Sequence, residues 1–421
     1  MRTKVLGILG SATILVLAAV NGCSSSSNSD GTGGSSASSG GAAGSSSASS
    51  SSDTSSTSSG GGSSNSGGGG SGGQGGSGNG GSSASASSSA SASSSASASS
   101  SSGAGGGNVG GCPESELIGW ASESGHGVAT TTGGGNANPV TVKTAAELEA
   151  AVESPNPMVI IVDGTITIPE VDIASNKTLI GKDANATIEG GIRIRGDGAD
   201  PNKMVSNVIV RNLRVHNGTS ENDGDGIQIY FAHHVWVDHV EVWDSLDGNF
   251  DIVHGSDFVT VSWLKFHYTN NAPDPAHKFS NLISHSDNNA GEDTGRLRIT
   301  LHHNWWAEGV TERMPRIRFG QIHVLNNYYS ATGNNYSVGA GREAKVVVEN
   351  NYFDGVKDPH IFYNGEPTAQ IVAKGNTYIG ISDQTKKDAG QGNAFTPPYT
   401  YNADPADAAL KDIVMQCAGP Q

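Results

Sequence analysis

Basic residues are scarce in this sequence, which has 24 Lys and Arg against 40 Asp and Glu and a formal net charge of -16. Proteins bind nucleic acid through clustered positive charge, so this balance argues against a nucleic-acid-binding function. A phosphate-binding loop and a Ser/His/Asp arrangement are also missing. These absences remove nucleotide-phosphate and serine-hydrolase chemistry from the leading hypotheses.

Bulky apolar residues are almost absent from the first quarter of the chain, where Ser, Gly and Ala predominate. Residues 24–111 cannot bury enough surface to offset chain entropy, so we expect a disordered linker there. A Gly/Ser coil of this length has a root-mean-square span of roughly 50 Å. We expect residues 112–421 to form the folded domain.

The N-terminal residues 1–23 have the features of a secretory signal peptide, with Arg2 and Lys4 before a short apolar run. The ending VNGC resembles a bacterial lipobox, in which Cys23 would be lipidated and become the mature N-terminus. Asn21 departs from that pattern, so a simply secreted form is the alternative. We expect an exported protein, tethered by lipid to the bacterial cell surface or outer membrane.

Two cysteines follow Cys23, and they bracket the region predicted to fold. Export permits disulfides, so a bridge between Cys112 and Cys417 is one possibility, and two free buried thiols are the other. The sequence alone leaves both open.

Short apolar segments recur along the second half of the chain. They begin at Asn207, His234, Phe258, Arg298, Gln321, Lys345 and Gln370. Their spacing is roughly 23 to 27 residues apart from one interval of about 40, a period typical of solenoids. Stacked coils bury a core that no single coil can close. We therefore predict an all-β fold, a parallel β-helix; a β-sandwich is the alternative, but it would not explain the period.

Several other residues are predicted to be structural. Thr144 and Glu147 have capping-box spacing, which predicts a short helix over the N-terminal end of the solenoid. Asparagines at equivalent points of successive coils predict an internal amide ladder, with the candidates Asn326 or Asn327, Asn350 or Asn351, and Asn376. Aromatic residues at equivalent points predict internal stacking, namely Trp305, Trp306, Tyr328 and Tyr329.

Histidines are numerous enough to suggest a zinc site or an acid–base pair. Their positions follow the coil pattern, which favours structural hydrogen bonds for His233, His234, His239, His302, His303 and His323. Asp238 beside His239 is expected to hold adjacent turns together.

Acidic residues cluster in ENDGDGIQI and DSLDGNFDI, which contain Asp223, Asp225, Asp247 and Asp251. Asp225 and Asp247 lie about one coil apart, so the repeat places them on adjacent rungs. Hard oxygen ligands without cysteine suit Ca2+ better than Zn2+. A solvated acidic turn is the alternative interpretation.

Basic residues cluster in TERMPRIRFG, where Arg313, Arg316 and Arg318 fall within six positions. Guanidinium groups suit carboxylates and phosphates, so this cluster indicates either an anionic ligand or structural ion pairs. Pro315 makes an unbroken strand insecure, so Arg313 and Arg318 can face one cleft across a turn. The long interval at 270–295 adds Lys278, in a loop of the kind that often shapes a ligand site.

Four motifs together resemble the pectate lyase family, within the pectate lyase and pectin lyase superfamily. They are VWVDH at 235–239, DGNFDI at 247–252, HHN at 302–304 and RMPRIRFGQIHVLNN at 313–327. SNKTLIG, from Ser175, adds to the match, and the similarity runs from about residue 115 to 400. The resemblance implies a right-handed parallel β-helix.

The resemblance also implies a carbon–oxygen lyase that cleaves de-esterified polygalacturonate by Ca2+-assisted β-elimination, giving 4,5-unsaturated oligogalacturonates. It places calcium ligands at Asp225, Asp247 and Asp251, substrate-carboxylate binders at Lys278 and Arg318, and the group that takes the C5 proton at Arg313. Asp223 is a further acidic candidate, and some relatives have Glu where this chain has Asp247. Chemistry alone would make Arg313 an electrostatic stabiliser.

Three alternatives remain at this point. A pectin lyase acting on methylated polymer would not need three placed aspartates, and a hydrolase would need paired carboxylates around the scissile bond. The non-enzymatic alternative is a polysaccharide-binding β-helix with a structural calcium site. In every case we expect a monomer.

Overall fold

The protein is represented by a computed structural model that describes residues 111–421 apart from Glu114. The predicted signal peptide, Cys23 and the predicted linker up to residue 110 lie outside the described residues. Within the described part of the chain, no helix has the length and apolar character needed to cross a membrane.

The 23 strands of the described region all pair in parallel and wind into a right-handed β-helix of about 10 turns. They stack on three faces, here called A, B and C, and are numbered in chain order. Face A contains β1 (Val140–Val142), β2 (Met158–Val162), β4 (Lys177–Gly181), β6 (Val205–His216), β8 (Ala232–Trp243), β10 (Asp257–Ser262), β13 (Arg298–His302), β16 (Gln321–Leu325), β19 (Lys345–Glu349) and β22 (Gln370–Lys374).

Faces B and C complete each turn. Face B contains β3 (Thr165–Asp172), β5 (Thr187–Arg195), the second halves of β6 and β8, β11 (Lys265–His267), β14 (Trp305–Trp306), β17 (Tyr328–Tyr329), β20 (Tyr352–Asp354) and β23 (Thr377–Ile379). Face C contains the second halves of β3 and β5, then β7 (Ile227–Tyr230), β9 (Phe250–Val253), β12 (Leu282–Ile283), β15 (Arg316–Ile317), β18 (Val338–Ala340) and β21 (His360–Phe362).

The seven segments identified by their period all lie on face A, which confirms the predicted β-helix. Alternate residues point inward, so branched side chains stack in register through the core, as in the fully buried column Val210, Val237, Val261, Leu301, Val324 and Val348. The long interval does not interrupt this face, because Val259 pairs directly with Ile299. The additional residues therefore extend away from face A.

The asparagine ladder is present and resolves the alternatives. Asn304 Nδ2 donates to Asn327 Oδ1 at 3.0 Å, Asn327 Nδ2 to Asn351 Oδ1 at 2.9 Å, and Asn351 Nδ2 to Asn376 Oδ1 at 3.0 Å. The ladder thus begins one rung earlier than predicted, at Asn304. The neighbouring Asn326 has a φ of 52°, a left-handed conformation that Asn tolerates better than most residues.

Two of the four aromatic residues stack inside the helix as predicted. The buried rings of Trp306 and Tyr329 are stacked with centroids 4.6 Å apart, and Tyr329 stacks on Phe353 at 4.4 Å. Trp305 and Tyr328 instead pack with the C-terminal helix, because the alternation of face B points them outward.

Three α-helices decorate the solenoid: α1 (Ala145–Val152), α2 (Ala290–Asp293) and α3 (Ala408–Cys417). The predicted capping box of α1 is confirmed, since Thr144 Oγ1 accepts from Glu147 N and Glu147 Oε2 accepts from Thr144 N. This helix packs on β2 and β3 at the N-terminal end. Short 3-10 turns occur at Trp120–Ser122, Glu221–Gly224 and Tyr363–Gly365.

A disulfide joins Cys112 to Cys417 at the end of α3, with an S–S distance of 2.02 Å. Both half-cystines are buried. The bridge, rather than the pair of free thiols, is therefore the correct alternative.

Candidate active site

Face C carries the charged residues singled out from the sequence. Its strands are only 2 to 4 residues long from β7 to β21, and those from β7 to β18 each point an isoleucine, valine or alanine inward. Parallel register aligns Gln228 with Asp251 and Leu282 with Arg316 on the outer surface. Acidic and basic side chains therefore lie on one surface, with the rung of Leu282 between those of Asp251 and Arg316.

The predicted stacking of Asp225 and Asp247 on adjacent rungs is confirmed by the backbone around them. Gly226 N donates to Gly248 O at 3.0 Å, and Asp247 N donates to Gly224 O at 3.0 Å. A Cβ placed on Gly248 would lie 3.0 Å from Asp225 Oδ1 and 3.1 Å from an oxygen of Asp251. Glycine at this position leaves an open space that two carboxylate oxygens flank.

The electrostatics of these carboxylates are unfavourable. Burial raises the pKa of Asp225 well above its ordinary value, and the charges of Asp251 and Asp247 add to this effect. Burial also raises the pKa of Asp251 to about 7, with Asp247 adding to the increase and Arg313 opposing it. A bound divalent cation would offset both desolvation and like-charge repulsion.

Whether the aspartates suit a hard cation can be judged from their donor atoms. In the part of the chain that the structure describes, no group of three or more His, Cys, Asp or Glu side chains is arranged to hold a metal ion. Asp247 instead contacts His277, whose Nε2 lies 2.7 Å from Asp247 Oδ1. The oxygens of Asp225 and Asp251 around Gly248 nevertheless fit the all-oxygen coordination that Ca2+ prefers.

Asp223, the further acidic candidate, lies beside this cluster. Gln228 Nε2 approaches Asp225 Oδ2 at 3.2 Å and Asp223 Oδ2 at 3.4 Å. One amide group therefore links the two carboxylates.

Arg313 lies in the turn that precedes β15, with a φ of 60°. Its guanidinium carbon is 4.3 Å from the centroid of the Phe279 ring. Its Nε has no hydrogen-bond partner among the described residues, and its charge is the main influence that opposes the raised pKa of Asp251. The guanidinium is thus placed near the carboxylates without being neutralised by a direct ion pair to them.

Arg318 is more enclosed than Arg313. Its side chain is buried, donates from Nη1 to Ser284 O at 2.8 Å and pairs with Asp287. Burial and the neighbouring charges of Arg316 and Arg313 lower the pKa of this guanidinium, while Asp287 opposes that change. The three arginines therefore form one positive cluster, as the turn hypothesis for Arg313 and Arg318 requires.

Lys278 lies at the edge of the same region. Its Nζ donates to Thr269 O at 3.2 Å, within the long interval, and its carbonyl accepts from Thr311 N at 2.9 Å. The backbone is anchored beside the turn that carries Arg313, whereas the ammonium group contacts its own loop.

Sequence inspection named Arg316 only as a member of the basic cluster, and it missed two residues that the structure brings into the site, His277 and Phe279. Arg316 alternates with buried Ile317, a period-two pattern that placed it on the outer surface beside Arg318. His277 and Phe279 flank Lys278 and reach Asp247 and Arg313 respectively. No sequence signal identified those two, because their partners lie on other rungs.

The histidines and the VWVDH motif are structural, as predicted. The ring nitrogens of His233 and His234 lie 2.8 Å apart, and those of His302 and His303 lie 3.0 Å apart. Buried Asp238 pairs with His239 at 2.9 Å and accepts from Ser262 Oγ at 2.7 Å.

One cavity on the described surface lies away from the candidate site, and another lies beside it. The larger, of about 440 Å³, is lined by Gly133, Gly134, Asn136, Asn207 and other uncharged residues. The smaller, of about 60 Å³, lies beside Arg316 and Arg318. The smaller one contacts residues of the candidate site.

Comparison with known proteins now adds to this geometry. A family model described as pectate lyase matches residues 113–421. A protein named "Probable pectate lyase A" from Aspergillus flavus is 36% identical over 308 residues, which cover 70% of this chain and 87% of that protein. "Pectate lyase plyB" from Emericella nidulans is 37% identical over 261 residues, covering 59% of this chain and 72% of that protein.

Solved structures show the same architecture. A pectate lyase from Bacillus sp. N165, in complex with trigalacturonate, superposes with a TM-score of 0.60 at 27% identity and covers 72% of this chain and 99% of its own. A Bacillus subtilis pectate lyase mutant superposes with a TM-score of 0.59 at 22% identity, covering 72% and 96%, and supports the fold alone.

Proposed function

Since the chain belongs to the pectate lyase family, we propose that it cleaves de-esterified polygalacturonate by Ca2+-assisted β-elimination. The products would be 4,5-unsaturated oligogalacturonates. The chain is a polysaccharide lyase; the substrate, the cation and the residue roles are the proposal.

One observation carries the proposal: buried, mutually repelling aspartates lie on the same surface as a cluster of arginines. Acidic groups alone would repel a polyuronate, and a neutral sugar would not need the arginines. A cation held by the aspartates would attract the sugar carboxylate from one side while guanidinium groups attract it from the other. The arrangement thus suits a substrate that carries a carboxylate at the reacting centre.

The reaction removes the C5 proton, forms a double bond between C4 and C5, and breaks the bond from C4 to the glycosidic oxygen. The electron pair of the C5–H bond becomes the new double bond, and the leaving oxygen takes the C4–O pair. A bound Ca2+ would withdraw charge from the C6 carboxylate and so favour loss of the adjacent C5 proton. Asp225, Asp247 and Asp251 would hold it.

The basic residues are assigned to proton transfer and to binding of the sugar carboxylates. Arg313 is assigned to receive the C5 proton on the resemblance to the pectate lyase family, and its Nε has no hydrogen-bond partner in the described region. Arg318 and Lys278 are assigned to the carboxylates of bound sugar units. Arg318 must share its guanidinium with Asp287, and Lys278 must leave the carbonyl of Thr269.

The substrate class is supported by a relative. The Bacillus sp. N165 pectate lyase was solved with trigalacturonate, a short form of the proposed polymer. A pectin lyase function is less consistent with the site, since a neutral methyl ester would not need paired cation and arginine contacts. A non-catalytic calcium-binding role would leave the unpaired Nε of Arg313 without explanation.

We retain the proposal that the protein is exported as a monomer and tethered at Cys23 to the bacterial cell surface. It rests on the signal-like residues 1–23 and the Ser/Gly-rich residues 24–111. Mass spectrometry of the mature N-terminus tests it: a lipid-modified Cys23 supports the anchor, and an unmodified terminus beyond residue 23 contradicts it.

The activity is tested by following near-ultraviolet absorbance while residues 112–421 are incubated with de-esterified polygalacturonate. We expect a rise that excess chelator abolishes and added Ca2+ restores, because elimination alone creates a conjugated unsaturated uronate. New reducing ends without absorbance would show hydrolysis instead. Equal rates on fully methylated polymer would favour a pectin lyase.

A further inference from the structure

Phe279 occupies a central position between the acidic and basic parts of the site. Its backbone forms a bridge to Gly248 on the preceding rung and to Glu312 on the following rung. Its carbonyl accepts from the Tyr268 hydroxyl at 2.7 Å and from Asn249 N at 3.2 Å. The residue is therefore fixed on both sides within the stack.

The half-buried Phe279 ring contacts both parts of the site. The guanidinium carbon of Arg313 lies 4.3 Å from its centroid. The His277 ring lies 3.9 Å from it, at an interplanar angle of 52°. His277 in turn places Nε2 2.7 Å from Asp247 Oδ1. A single ring thus supports Arg313 directly and Asp247 through one intermediate side chain.

We propose that Phe279 is a positioning residue that holds both Arg313 and the Asp247–His277 pair in the geometry needed for elimination. This inference rests on the proposed function. The aromatic face attracts the guanidinium without offering it a negative charge, so Arg313 keeps its hydrogen-bonding capacity for the substrate. On the other side, the ring limits the rotation of His277 and therefore of Asp247.

The Phe279 ring makes a cation–π contact with Arg313 on one side and an aromatic contact with His277 on the other. This difference distinguishes a positioning role from ordinary packing. Arg313 Nε has no hydrogen-bond partner in the described residues, so the ring is a principal support for that side chain. Asp247 and His277 are partly exposed, with 46% and 30% of their side-chain surfaces accessible. An aliphatic residue at 279 would fill the space but would lose the attraction to Arg313.

The test compares Phe279→Leu, which removes the aromatic face, with Phe279→Tyr, which keeps it. Phe395→Leu is the matched control, because Phe395 is also half-buried against an aromatic ring but contacts Trp120 instead. We expect Phe279→Leu to lower kcat about tenfold with little change in KM. We also expect Ca2+ affinity of the substrate-free protein, measured by calorimetry, to fall by about three- to tenfold.

Phe279→Tyr should retain kcat and Ca2+ affinity within about twofold, and Phe395→Leu should leave both unchanged. His277→Gln should weaken Ca2+ binding of the substrate-free protein, because it removes the imidazole ring that lies between the Phe279 ring and Asp247. Wild-type kcat and Ca2+ affinity in Phe279→Leu would overturn the proposal. So would a loss that Phe279→Tyr shares, because the aromatic face would then be irrelevant.

The two proposals fail in different ways. Absence of elimination by the wild-type protein would refute the proposed function, whereas the calorimetric comparison needs no substrate. If Phe279→Leu does not fold, Phe279→Met replaces it as an unbranched aliphatic variant. A Phe279→Met protein with wild-type kcat and Ca2+ affinity would equally overturn the positioning role.

Discussion

Faces A and C both carry buried aspartates, but the two faces treat them in opposite ways. On face A, burial acts to raise the pKa of Asp238, yet His239, Arg211 and Ser262 together hold it below its ordinary value. On face C, burial raises the pKa of Asp225 and the charges of Asp251 and Asp247 raise it further. The folded protein thus favours the ionised form of the aspartate on face A and disfavours that of the aspartate on face C.

The contrast shows that burial alone does not separate structural from functional acids. What separates them is whether partners of opposite charge lie within reach in the folded protein. Asp257 on face A behaves like Asp238: burial acts to raise its pKa, but His126 and Arg298 outweigh burial and lower it. On face C the Phe279 backbone lies between the rungs of Gly248 and Glu312, and its ring contacts the Arg313 guanidinium.

The largest expected effect on activity comes from removing the Arg313 guanidinium, whose Nε has no hydrogen-bond partner among the described residues. Arg313→Ala should lower kcat about 10³-fold, as expected for loss of a group that transfers a proton, with little change in melting temperature. Steady-state absorbance assays and thermal melts check this. Arg195→Ala, which removes an exposed arginine from β5, is the matched control and should keep wild-type activity. An Arg313→Lys variant with most of the activity would contradict a specific guanidinium role.

Face A should respond in stability rather than in activity. Asp238→Ala leaves His239 and Arg211 without their shared partner, so we expect a loss of about 3 kcal/mol in the free energy of unfolding. Urea denaturation measures it. The folded fraction should retain wild-type kcat; a reduced kcat with unchanged stability would reverse the assignment of the two faces.

Asp225→Asn should sharpen the comparison, because it removes a carboxyl group whose ionised form is disfavoured by burial and by the charges of Asp251 and Asp247. In chelator the variant should be at least as stable as the wild type, whereas its Ca2+ affinity should fall at least about tenfold. Thermal melts with and without Ca2+ report both quantities. Asp412→Asn, on the exposed side of α3, is the control. A destabilised variant in chelator would show that Asp225 has a structural role like that of Asp238.

The smallest expected effect is on the pH dependence of the free energy of unfolding, through His233 on face A. Burial and the neighbouring His234 and His126 lower the pKa of His233 from its ordinary value of 6.5 to about 4. The unfolded chain therefore binds more protons between these values, so the stabilising contribution is complete above pH 6.5 and is lost as pH falls towards 4. We expect His233→Asn to reduce this slope by about 1 kcal/mol over that range. An unchanged pH dependence of unfolding would contradict the assignment.

The period of the sequence predicted the scaffold because each coil repeats the same physical problem. Branched residues at every second position, such as Val237 and Val261, must stack inward, and Asn327 must satisfy buried backbone groups. The stacking of Asp225 and Asp247 on adjacent rungs was predicted from the same repeat, because the two residues lie about one coil apart in the sequence. These features depend on spacing alone, which a single sequence displays.

The contacts of the site were harder to predict because they depend on irregular segments. His277 and Phe279 lie in the interval that breaks the period, so no rung count placed them beside Asp247 and Arg313. The pairing of Arg318 with Asp287 has the same origin. Sequence order identified the charged groups, but the path of the loop decided which of them are compensated.

The Cys112–Cys417 bridge spans a sequence separation of 305 residues and so encloses every strand of the described solenoid. A protease that cuts any one surface loop within this span would leave two pieces joined through sulfur. Such damage would be invisible by size on a non-reducing gel and would become visible only after reduction. In an extracellular setting, the two fragments left by a single cleavage would therefore stay covalently joined.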